Sequence, residues 1–143
     1  MNEYLPGLAG VPATKSNISS IDGEKGILAY RGYSIQELAE NSTFEETSSL
    51  LLCGELPSKA ELEEFDRQLR GERKLKYNVR EIMKYLPATG HPMEMLQTAI
   101  ASMGMFYKRS EVLTEGLGPE EEYYVHTMSV KIIARIATIV AAW

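Results

Sequence analysis

The hydrophobic pattern of this chain changes character once, near Ser34. Before that point Ile18 and Ile21 stand among small polar residues, Asp22-Gly23 offers a turn, and Ile27 to Tyr30 alternates in the way of a half-buried strand. The segment therefore predicts one small β-hairpin. Ahead of it, residues 1–13 carry Pro6, Gly7, Gly10 and Pro12 and read as an irregular arm. From Ser34 onward the signals are helical. Ser34 with Glu37, Thr43 with Glu46 and Ser58 with Glu61 have capping-box spacing, in which a hydroxyl accepts from a free N–H while a carboxylate reaches back. Gly54 and Gly71 are placed to end two helices, because glycine adopts the left-handed conformation without steric cost.

Asn78 predicts a cap for a helix over Val79 to Leu86, which Pro87 stops. Pro92 suits the first turn of the next helix, with His91 at or beside its cap, and Met93, Leu96, Ile100, Met103 and Met105 carry that helix to about Tyr107. A loop with Gly116, Gly118 and Pro119 leads to a last helix from about Glu120 to the end. In that helix Val125, Met128, Val130, Ile132, Ile133, Ile136, Ile139, Val140 and Trp143 occupy most of the circumference. Lys131, Arg135 and Thr138 form a thin polar stripe. Such a helix is covered by several neighbours rather than by one. With no internal repeat and no linker, the expectation is a mainly α, multi-helical fold, with arm and hairpin over about 1–33 and helices over about 34–143. About six helices are predicted.

Length and composition narrow this little. The 143 residues suffice for about one domain with a real core. A net charge of −5 gives no global field for nucleic acid or an anionic membrane. The densest charged run, Glu55 to Lys84, nearly cancels and reads as a solvated helical surface. The single cysteine, Cys53, fits a reducing, cytoplasmic setting and reads as a buried, inert thiol. The opening residues have no basic n-region or apolar h-region, so no signal peptide is expected. Lys131 and Arg135 interrupt the last apolar segment, so no membrane span is expected either.

Candidate chemistry is sparse. The two histidines, His91 and His126, and Cys53 are too few and too scattered for a zinc site, and no nucleophile elbow, phosphate loop or dinucleotide fingerprint is present. His91 reads as a helix cap and His126 as a packing histidine. Glu120-Glu121-Glu122 reads as a first-turn cluster complementing the helix dipole. The methionines read as core or interface filling. Arg31 has two readings. Its fork could hold a carboxylate or a cluster of carbonyls, or it could form a buried bridge fixing the hairpin to a helix.

Four segments, in order, carry a resemblance. These are Gly7 to Val11 (Gly-Leu-Ala-Gly-Val), Tyr30 to Tyr33 (Tyr-Arg-Gly-Tyr), Leu50 to Pro57 (Leu-Leu-Leu-Cys-Gly-Glu-Leu-Pro) and His91 to Met93 (His-Pro-Met). Together they resemble the amino-terminal part of bacterial and archaeal citrate synthases, over nearly the whole chain. The resemblance implies the first part of the large domain of a helical homodimer that condenses acetyl-CoA with oxaloacetate to citrate and CoA, without a metal or other cofactor. It also implies that the helices after Ala88 help build the dimer interface. The family's catalytic aspartate and histidines lie beyond the point matching Trp143, so no catalytic, cofactor-binding or metal-binding residue is expected in this chain, and the chain alone is expected to be inactive. The last helix has no stop signal at Trp143 and reads as cut there. The 2-methylcitrate synthases share these segments. A non-catalytic helical module that self-associates is the reading from a different class.

Overall fold

A computed structural model describes residues 7, 10–12, 14–107 and 118–143. The arm over 1–13 falls largely outside these residues, and so does the loop containing Gly116. The chain divides into two units, Met1–Ser58 and Lys59–Trp143.

In the first unit β1 (Ser19–Asp22) and β2 (Ile27–Tyr30) pair antiparallel, with Ser19 opposite Tyr30 and Asp22 opposite Ile27. This is the predicted hairpin. Its turn is closed by Asp22, whose Oδ1 accepts from the Lys25 N–H at 3.0 Å and whose Oδ2 lies 3.1 Å from Lys25 Nζ. The Lys25 backbone N–H, and secondly the Lys25 ammonium, hold the Asp22 carboxyl below its ordinary value of 3.8. A third short strand, β3 (Tyr33–Ser34), adds to β2 through the two-residue turn Arg31-Gly32. Both turn residues have positive φ, 48° and 92°, as a type I′ turn requires. The sequence masks this turn because arginine is not among the residues that ordinarily favour it.

Ser34 then caps α1 (Ile35–Asn41), its Oγ accepting from the Glu37 N–H at 3.1 Å. Thr43 and Glu46 form the complete reciprocal box of α2 (Phe44–Cys53), with bonds of 2.7 and 3.2 Å. Gly54 ends α2 in the left-handed conformation at φ 97°, its N–H reaching Leu50 O at 2.8 Å. Leu38 and Leu50 are buried. Cys53, in contrast to expectation, is exposed, because it takes the last helical position just before the chain turns away at Gly54.

The second unit contains α3 (Lys59–Glu72), α4 (Tyr77–Tyr85), α5 (Pro92–Gly104) and α6 (Pro119–Ala142). Helix α6 packs on α3 and α5, and α4 packs on α5. The core gathers Leu75, Val79, Met83, Met95, Ala99, Met103 and Ile139. Val79 with Met83, and Met95 with Ala99 and Met103, stand four apart, which puts each set on one helix face. Each large side chain buried this way stabilises the fold by roughly 1.5–3 kcal/mol.

Three boundaries move from the sequence expectation. Gly71 lies inside the last turn of α3, which runs on to Glu72. Helix α4 starts at Tyr77 rather than Val79, with Lys76 at a cap position where its side chain does not bond the helix end, because burying both Leu75 and Val79 fixes the chain there. Helix α5 stops at Gly104, three residues early. The six helices among the described residues otherwise match the expected mainly α architecture.

Candidate functional site

The polar stripe of α6 turns inward. Arg135 is 6% exposed, inside an otherwise apolar packing layer. Its guanidinium is satisfied on all three nitrogens. Nε donates to the Glu72 carbonyl at 2.9 Å, Nη2 donates to Glu72 Oε2 at 2.5 Å, and Nη1 donates to the Tyr107 hydroxyl. Lys131, one turn earlier, sets its Nζ 4.0 Å from Glu72 Oε1. The Tyr107 ring is the hub of the cluster. Lys76 Nζ lies 4.6 Å from its centroid, Lys131 Nζ 5.2 Å and Arg135 Cζ 5.7 Å. Three cations thus lie over one ring, and two of them, Lys131 and Arg135, also meet one carboxylate.

The geometry explains itself from the sequence upward. Arg135 projects from the face of α6 that packs on α3, and α3 ends at Glu72, where its last carbonyls lack helical partners. A guanidinium at that end meets the negative pole of the helix as well as the carboxylate. The cluster fastens α3 to α6. Its polar groups are spent on one another across the two helices, so it works as a clamp. Sequence reasoning identified the stripe but not its partner, which lies 63 residues away. The available signal was that two cations in an apolar helix need an acceptor.

The remaining sequence candidates do not converge. His91 is the N-cap of α5; its Nδ1 accepts from the Met93 N–H at 3.2 Å, and Glu94 Oε2 accepts from the His91 N–H at 3.4 Å. This is the capping role expected from the sequence. His126 is half-buried on α6. Met95 and Met103 fill the core, whereas Met93 and Met105 stand exposed. Of the acidic trio, Glu122 is exposed in the first turn of α6, and the side chains of Glu120 and Glu121 are outside the described ones. No group of three potential metal ligands occurs among the described residues.

Arg31 is resolved in favour of the bridge. Its Nη1 donates to Asn17 Oδ1 and its Nη2 to the Leu51 carbonyl, each at 3.0 Å, joining the start of the sheet to the last turn of α2. It is partly buried, and its side-chain partners are carbonyl oxygens rather than a carboxylate.

Helix α6 is long and apolar enough, over Glu122–Ala142, to cross a membrane by length and composition. In this fold 22% of that stretch is buried, including Val130, Ala134 and Ile139, and its two cations pair with Glu72 and Tyr107.

The family model described as citrate synthase, C-terminal domain, matches residues 7–143. The citrate synthase of Acidithiobacillus ferridurans is 54% identical over 140 residues, covering 98% of this chain and 36% of that protein. That of Synechocystis is 47% identical over 140 residues, covering 98% and 34% respectively. Among solved structures, the crystal structure of citrate synthase from Pyrobaculum aerophilum superposes with a TM-score of 0.82 at 38% identity, over 95% of this chain and 34% of that one. The Thermotoga maritima enzyme gives a TM-score of 0.76 at 32% identity, over 95% and 33%. The chain spans about a third of the length of the relatives it matches. With a family model covering nearly every residue and relatives this similar, the chain belongs to the citrate synthase family.

Proposed function

We propose that this chain is the amino-terminal part of the large domain of a cytoplasmic citrate synthase, whose whole condenses acetyl-CoA with oxaloacetate to give citrate and CoA. The observation that carries the reading is 54% identity to the Acidithiobacillus enzyme across 98% of the chain. The amino-terminal placement is supported by the order of the segments at Gly7, Tyr30, Leu50 and His91. The chain's own part is architectural. His91 caps a helix and Arg135 clamps two helices.

Dimerisation through α5 and α6 belongs to the same proposal. Val125, Ile136 and Val140 lie within about 60° of one another around α6 at 100° per residue, away from the buried Val130 and Ala134 but beside the buried Ile139. Val140 is 57% exposed. Apolar side chains grouped on one exposed face are favourable to cover, at roughly 25 cal/mol per Å² of apolar surface removed from water.

A graft tests the reading. The Acidithiobacillus enzyme, with its first third replaced by this chain, is expected to release CoA from acetyl-CoA only when oxaloacetate is present. The isolated chain is expected to release none, since a positioned base alone contributes about 10²–10⁴-fold. A folded graft without activity overturns the enzymatic reading. Activity only when the chain replaces the last third overturns the placement. Preference for propionyl-CoA over acetyl-CoA identifies a 2-methylcitrate synthase instead.

A further inference from the structure

Arg31 is the one residue other than glycine with positive φ among the described residues, and its Nε is buried without a hydrogen-bond partner. Both features are unfavourable. A Cβ in the left-handed region crowds the following carbonyl, and a buried donor without an acceptor loses its hydration for nothing. Strain of this kind persists where the surrounding contacts over-determine it.

Those contacts are present. The Arg31 N–H donates to the Ile18 carbonyl at 2.9 Å, Nη1 to Asn17 Oδ1 and Nη2 to the Leu51 carbonyl. All three acceptors are carbonyl oxygens, two at the start of the sheet and one in the last turn of α2. A Cβ added at Gly54 would stand 3.9 Å from Arg31 Cζ, so the guanidinium lies against the glycine that ends α2, beside the negative pole of that helix. Strand β1 has little apolar burial to hold it otherwise, with Ser19 to Ile21 exposed and Ile21 at 76%, whereas β2 and β3 are largely half-buried and pack on α1.

We infer that Arg31 is a strained clasp. One guanidinium fastens the β-sheet to the C-terminal end of α2, and the sheet comes away as a local unit when that fork lets go. The inference concerns the first unit alone and is independent of the enzymatic reading. Local opening of this kind occurs where few apolar contacts reinforce exposed backbone hydrogen bonds.

Hydrogen exchange by mass spectrometry on the 143-residue chain tests it, with peptides covering residues 15–34 read against those of α3 to α6. Arg31→Lys keeps the charge and the backbone conformation but loses the fork. It is expected to speed exchange in β1 and β2 about tenfold, the effect of losing one charge-assisted hydrogen bond, with α3 to α6 unchanged. Arg31→Gly removes the strain together with the fork and is also expected to speed exchange. Slower or unchanged exchange in Arg31→Gly means that strain, not the fork, governs the segment, and overturns the clasp. Acceleration spread equally over α3 to α6 overturns it too. Asn17→Ala removes one arm only; if the Arg31 variants do not fold, acceleration confined to residues 15–34 in Asn17→Ala supports the clasp, and unchanged or uniform exchange refutes it.

Discussion

Replacing Arg135 with methionine removes the fork of the α3–α6 clamp while keeping an apolar stem of similar length. Arg135 gives one bond to a carboxylate and two to neutral oxygens. A bond to a charged group contributes about 1.5–3 kcal/mol and a neutral one about 0.5–1.5 kcal/mol, so the gross loss is roughly 2.5–6 kcal/mol. Two effects reduce it. The Glu72 side chain is 35% exposed, so water screens the carboxylate left behind, and Lys131 already stands 4.0 Å away to take over part of the pairing. The net expectation is a destabilisation of about 2–3 kcal/mol, and at about 4 °C per kcal/mol for a chain of this size the melting temperature falls by about 8–12 °C. Urea unfolding followed through Trp143 reads the change directly, because the only tryptophan sits at the end of α6. Arg135→Lys, which keeps the charge without the fork, is expected to lose about half as much. Glu72→Met with Arg135→Met is expected to cost less than the sum of the two, since the pair goes together. An Arg135→Met protein within about 0.5 kcal/mol of wild type, or strictly additive single losses, would refute the clamp.

Three further expectations concern single positions. His91→Ala should destabilise by about 1 kcal/mol through loss of the α5 cap and His91→Asn should restore most of it; equal losses in both would exclude capping as the cause. Gly54→Ala should cost about 1–2 kcal/mol from the left-handed φ of 97° alone, since the added Cβ meets only ordinary contact, and a neutral effect would mean that α2 can end in another geometry. Asp22 has a folded value below 3.8, so its stabilisation of the hairpin turn is present above that value and is lost as the pH falls through the lower folded one. An NMR titration placing the Asp22 carboxyl at or above 3.8 contradicts the bond to the Lys25 N–H.

The legible parts of the fold were those set by local chemistry. Thr43 and Glu46 announced their helix because a capping box needs only four consecutive residues, and His91-Pro92 announced α5 for the same reason. Distance along the chain hid the rest. Asn78 looked like a cap, yet burial of Leu75 and Val79 moved the helix start two residues back, since tertiary packing outweighs a single side-chain bond. Arg31 concealed a turn, because its left-handed backbone is held by partners at Asn17, Ile18 and Leu51 rather than by its own preference. The Lys131–Arg135 stripe was visible as polarity, but its meaning depended on Glu72 and Tyr107, which no local rule connects to it.

The clamp also bears on how this sequence can drift. Glu72 offers Arg135 two acceptors of different kinds, a side-chain oxygen and a main-chain carbonyl. The carbonyl survives any substitution at position 72, so part of the arginine's anchorage does not depend on which residue stands there. The reverse is not true: no main-chain group of α6 can replace a guanidinium that reaches Glu72 and Tyr107 together. Substitutions at the two ends of the clamp are unequal: loss of Arg135 leaves a half-exposed carboxylate that water and Lys131 screen, whereas loss of Glu72 leaves a buried guanidinium with only neutral oxygens as partners.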